Sequence, residues 1–182
     1  MLRLLSKKQL IQITDLIIKT IKNKKNIFVC GNGGSAAIAN HYVCDYLKML
    51  RTNTNLKPKI YSLSSNLELI SAISNDLDYD EVFKYQAESL CSKDDLIILI
   101  SSSGNSRNIF KLIKWAKLKK IKTIGFSGFK GGIIKKSCNL SINLNLENYG
   151  LSEDSHHILM HVMMQFIRQK FLTTDQIKKI KF

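Results

Sequence analysis

The chain has 182 residues, 45% of them hydrophobic and 23% charged, with a net charge of +14. That is enough chain to bury one sizeable core and too little for two comfortable domains. No apolar run approaches the ~18 residues of a membrane span, and MLRLLSKKQL lacks the apolar core and small-residue cleavage site of a secretory signal.

The lysines are spread along the whole chain, which reads as a solvated basic surface rather than a nucleic-acid site; IKKIKF at the end is the nearest thing to a basic tail. The four cysteines form no CxxC pair. They read as reduced thiols of a cytoplasmic protein, with Cys30 and Cys138 in apolar strand-like runs.

Leu5 to Lys25 carries apolar residues at Leu10, Ile13, Leu16, Ile17 and Ile21, the spacing of an amphipathic helix. Asn26 to Cys30 then reads as a short strand that opens into Gly31-Asn32-Gly33-Gly34-Ser35. Glycines let backbone N–H groups come close to a ligand, and the alanines that follow let a helix pack tightly. The dinucleotide fingerprint GxGxxG fails at Ala36, and no Gly-Lys-Ser or Gly-Lys-Thr completes a Walker loop. The helix from about Ser35 to Leu50 places His41 and Asp45 on one face, one turn apart.

Arg51 to Lys57 reads as a loop and Ile60 to Leu63 as a strand. Asn66 to Ile73 reads as a helix closed by turn chemistry at Asn75-Asp76, and Tyr79 to Leu90 as a further helix. The apolar run Ile97 to Ile100 empties into Ser101-Ser102-Ser103-Gly104-Asn105-Ser106, and a helical pattern from about Asn105 to Lys119 follows at once. Strand, hydroxyl-rich turn and helix N-terminus together can hold an anion without a lysine. Ile121 to Phe126 and Leu140 to Leu144 read as strands around a Gly131-Gly132 turn. A long last helix, about Ser152 to Phe171 with Ser152 as N-cap, presents Glu153, His157 and His161 on one stripe.

Strand and helix alternate throughout. This predicts an α/β three-layer sandwich: a mostly parallel five-stranded sheet, helices on both faces, and a site at the strand C-terminal ends. Residues 1–182 form one domain, with a core of about 5–170 and a loose end at 172–182.

GNGGS after one strand, SSSGNS after a second and spaced histidines on a terminal helix together resemble the sugar isomerase (SIS) domain family, most of all its bacterial phosphoheptose isomerases. The resemblance covers about Leu5 to Lys170. It implies a flavodoxin-like fold, a homotetramer with sites shared between subunits, and interconversion of sedoheptulose 7-phosphate and D-glycero-D-manno-heptose 7-phosphate for surface polysaccharide (lipopolysaccharide or capsule). It also implies residue roles. Ser101, Ser102, Ser103 and Ser106 would grip the phosphate, Asn32, Gly33, Gly34 and Ser35 would line the sugar, and Asn75 and Asp76 would contact hydroxyls. The family's zinc ligands, His, Glu, Gln and His, fall on His41, Asp45, Glu153 and His161. Glu153 would also meet substrate, and His156 and His157 stand in reserve as ligands.

Two of those positions depart from the family, with Asp45 in place of Glu and Glu153 in place of Gln. The Asp45 carboxylate reaches roughly 1–1.5 Å less far than a glutamate would. The family's Leu-Thr-Gly-Arg segment is also missing, with Lys48 and Met49 in its place. Aldose–ketose isomerisation needs a base at carbon and an acid/base at oxygen, and by the resemblance these are Asp45 and His161. The competing expectations are an isomerase for another phosphosugar, or a non-catalytic domain of the same fold that binds protein at replication initiation.

Overall fold

The computed structural model describes residues 6–179. The expected start of the first helix at Leu5 and the end of the IKKIKF tail lie outside them. Five strands form one sheet in the order β2-β1-β3-β4-β5, every neighbouring pair parallel. They are β1 (Asn26–Gly31), β2 (Lys59–Ser62), β3 (Leu96–Ser101), β4 (Lys122–Ser127) and β5 (Leu140–Asn143). The central β3 is buried at all six positions, as its unbroken apolar sequence requires.

Alternation along the strands splits the core in two. Ile27 and Val29 of β1 and Leu96, Ile98 and Ile100 of β3 face one layer. There they meet α1 (Lys7–Lys22), α2 (Gly34–Cys44) and α7 (Tyr149–Gln169). Phe28, Cys30, Ile97 and Leu99 face the opposite layer, where α3 (Leu67–Asp76), α4 (Val82–Leu90), α5 (Arg107–Leu118) and the short α6 (Gly132–Ser137) pack. A period of two in the strands thus gives each face its own apolar set, and the sheet is covered on both sides.

Several boundaries differ from expectation. The last helix begins at Tyr149, capped by Asn148, whose side chain accepts the Leu151 N–H at 3.0 Å. Ser152 is therefore not its N-cap. It is buried inside the helix and donates to the Leu146 carbonyl at 3.0 Å. Asn75 and Asp76 form the last turn of α3 rather than the turn after it. A 3-10 turn (Tyr79–Glu81) precedes α4. Cys138 lies outside any strand, at the C-terminal cap of α6, a helix that the two glycines before it masked. All four cysteines are free thiols. The C-terminal stretch holds a short exposed helix, α8 (Thr174–Lys179). Among the described residues, no helix is long and apolar enough to cross a membrane.

Strand order reverses between β1 and β3, so their following turns diverge to opposite faces and leave a crevice. Gly31 pairs with Ile100 in register, which sets Asn32 and Ser101 side by side at the sheet edge.

Candidate active site

The serine turn forms the first half of the site. Ser101 Oγ stands 3.2 Å from Ser106 Oγ and 3.5 Å from Ser103 Oγ, and it accepts the Gly104 N–H at 3.2 Å. Three hydroxyls therefore converge over the N-terminus of α5. Ser102 is buried with no partner on its hydroxyl among the described residues, and its carbonyl accepts the Gly128 N–H at 2.8 Å. Gly104 has φ +69° and lies against the Gly131 carbonyl, so a side chain would be strained and would collide there.

The glycine loop is held from three sides. Ser64 clasps the end of β1, donating to the Gly31 carbonyl at 2.8 Å and accepting its N–H at 3.1 Å. Asn32 and Asn108 exchange two amide bonds, at 3.0 and 2.9 Å, and the Tyr79 hydroxyl donates to Asn32 Oδ1 at 2.8 Å. Asn108 on α5 thereby ties the glycine loop to the serine turn. The sequence pattern alone singles out neither Asn108 nor Tyr79. The available signal was a buried asparagine within the apolar stripe of α5. Ser35 is buried in the first turn of α2. Asn75 and Asp76 are exposed and bond to each other at 2.8 Å.

The second half of the site lies farther along α2, where it meets α7. After Cys44 the helix widens into a π turn (Asp45–Leu50), a form concentrated at functional positions. Asp45 is 3% exposed. Its Oδ1 stands 3.4 Å from His41 Nε2 and its Oδ2 3.0 Å from His161 Nε2, and the two Nε2 atoms are 3.0 Å apart. The expected trio therefore converges across 120 residues of sequence despite the shorter carboxylate.

The resemblance assigned Glu153 to the same set, but its carboxylate rests over the Cα of Gly34, where a side chain on Gly34 would collide with it. Among the described residues, His41, His157 and His161 also form a grouping of side chains that could hold a metal ion, with one ligand atom of each within 4.8 Å of the others. Burial pushes the His157 pKa down, and the neighbouring His161 and His41 rings add to that. His156 is a separate case. It is fully buried, and burial lowers its pKa to about 4, so its ring is neutral.

These residues fit a dication. Tetrahedral zinc with bonds of 2.0–2.1 Å spaces its donors about 3.3 Å apart, which is close to the separations among His41, Asp45 and His161. His157 Nε2 is buried without a hydrogen-bond partner among the described residues, the kind of atom a bound ion would satisfy.

The SIS domain model matches residues 3–128 of the sequence. The chain belongs to the SIS domain family. It is 33% identical to the phosphoheptose isomerase of Campylobacter concisus over 86% of this chain and 82% of that protein. It is 35% identical to that of Aliarcobacter butzleri over 84% and 80%. The solved phosphoheptose isomerase of Neisseria gonorrhoeae superimposes with a TM-score of 0.82 at 28% identity, covering 90% of this chain and 86% of that one. The SIS fold expected from the two turns is the fold observed.

Proposed function

We propose that this chain is a phosphosugar aldose–ketose isomerase that converts sedoheptulose 7-phosphate to D-glycero-D-manno-heptose 7-phosphate. The observation that carries the reading is the buried Asp45 carboxylate held between His41 and His161, on the helix that leaves the glycine loop. The relatives named above are called phosphoheptose isomerases, which supports the substrate.

Ser101, Ser103 and Ser106, with Ser102 beside them, bind the phosphate through hydroxyls and the N-terminus of α5. Asn32, Gly33, Gly34 and Ser35 line the sugar, with Asn75, Asp76 and Glu153 near its hydroxyls. Asp45 takes the proton from C1 of the ketose and returns it to C2. His161 moves the hydroxyl proton from O1 to O2, so the sugar gains and loses nothing overall. Asp45 can serve both neighbours because a carboxylate offers about four lone-pair positions. His41, Asp45 and His161 would hold zinc, which when bound polarises the reacting oxygens.

The two halves also support an assembly. Gly34 and Asp45 are eleven residues apart, roughly 16 Å along α2. A seven-carbon sugar from C1 to its phosphate spans only about 10 Å at ordinary bond lengths. A homotetramer in which the carboxylate of one subunit meets the sugar held by the serines of another resolves the mismatch. Ile11, Val162 and Phe166, all more than a third exposed on α1 and α7, offer apolar surface for such contacts. The pathway served would be cytoplasmic heptose synthesis for surface polysaccharide.

The test is exchange of solvent deuterium into sedoheptulose 7-phosphate, followed by NMR with and without added zinc. Exchange at C1 with appearance of the aldose is the expected result. Binding without exchange would move the reading to another phosphosugar.

A further inference from the structure

The reading above leaves His157 without a task. It sits on α7 one turn after Glu153 and one turn before His161. Its ring meets His41 edge-on at 4.6 Å between centroids and stacks on His161 at 4.7 Å with 28° between planes. Its Nε2 is buried and has no hydrogen-bond partner among the described residues. An unpaired buried polar atom costs about 1–3 kcal/mol, so a third imidazole pressed against the His41 and His161 rings is a poor packing solution unless something binds it.

Glu153 has no comparable orientation. Its carboxylate covers Gly34 at the first turn of α2, where the helix dipole favours a negative charge. Along α7, position 157 lies about 6 Å nearer to His161 than position 153 does.

We infer that His157 is the fourth ligand of the metal site begun by His41, Asp45 and His161, and that Glu153 remains at the sugar loop instead. The site is then two i,i+4 pairs facing each other, His41 with Asp45 on α2 and His157 with His161 on α7. Each pair projects from one face of its helix, so two helix surfaces supply all four donors. Three imidazole nitrogens and one carboxylate oxygen form a donor set suited to tetrahedral zinc. The inference rests on the metal named above but not on the reaction. It shifts one ligand one turn along α7 from the position that resemblance assigns.

The test titrates Zn(II), and separately Co(II), into the metal-stripped full-length protein without sugar. Calorimetry reads the affinity, and the visible absorption of bound Co(II) reads four-coordination. His157→Gln should weaken zinc binding by more than about tenfold and reduce the Co(II) absorption. Glu153→Gln should leave both essentially unchanged. In the unsubstituted protein, a ring-nitrogen resonance of His157 should shift on zinc saturation, a readout that does not depend on any variant folding. The inference is overturned if the stripped protein takes up neither metal, if the His157 resonances stay put, or if Glu153→Gln weakens binding while His157→Gln does not. Because no sugar is present, failure here leaves the deuterium-exchange result standing, and failure of exchange leaves the titration standing.

Discussion

The serine turn and the carboxylate–histidine cluster are built on different principles. The turn is contiguous: residues 101–106 run from the end of β3 to the start of α5 and hold the Ser103 and Ser106 hydroxyls 3.5 and 3.2 Å from that of Ser101. It carries no charged side chain and relies on dipoles. The cluster is assembled from α2 and α7, and it places a buried carboxylate among imidazoles. In the proposed reading, binding falls to a local, neutral device, and proton chemistry to a non-local, titratable one. Substitutions in the two regions should therefore fail in different ways.

The strongest separation comes from Asp45→Asn, which keeps the shape and removes the base. Turnover should fall by about 10²–10⁴-fold, while calorimetric binding of sedoheptulose 7-phosphate stays nearly intact. Wild-type turnover in this variant would refute the assignment of the base. The converse variant is Ser101→Ala. It removes the hydroxyl at the centre of the turn, which also receives the Gly104 N–H. A hydrogen bond to a charged group contributes about 1.5–3 kcal/mol, so KM should rise about 10–100-fold with kcat much less affected. Competition by inorganic phosphate should weaken in parallel. A loss confined to kcat would mean that the turn takes part in the chemistry and would erase the contrast.

The same contrast explains what the sequence could tell. Both turns were legible because a strand, a small-residue run and a helix start lie next to each other in the chain, and chain neighbours stay neighbours when folded. The pairing of His41 with Asp45 was legible for the same reason, as helical spacing. Bringing His161 to that pair required the resemblance, because nothing local says which way two helices face. Glu153 and His157 show the limit. They share one stripe of α7, and only the packing of α7 on the glycine loop sets one against Gly34 and turns the other to the histidines. The N-cap at Asn148 and the helix Gly132–Ser137 are hidden locally, because Ser152 is an equally good cap by residue type and the glycine pair reads as a turn.

The smallest expected effect lies outside both regions, and it tests whether charge matters wherever it occurs in so basic a chain. Glu81 at the end of the 3-10 turn accepts from Lys111 of α5 at 2.9 Å and from Lys84 of α4 at 3.0 Å. The hydrogen bond from Lys111, then that from Lys84, holds its pKa below the usual carboxylate value. A carboxylate depressed in the folded state stabilises the fold above its unfolded pKa, and that stabilisation is lost as pH falls through the folded value. Water reaches this site, so the contribution is under about 1 kcal/mol. Glu81→Gln should thus lower the urea midpoint slightly at pH 7, with the difference from the parent chain shrinking on acidification below about pH 4. Turnover should be unchanged, because the bridge only ties two outer helices to the turn that carries Tyr79. If turnover fell as well, the Tyr79 hydroxyl and the Asn32 amide it supports would be the route, and the glycine loop would depend on surface charge in a way that the serine turn does not.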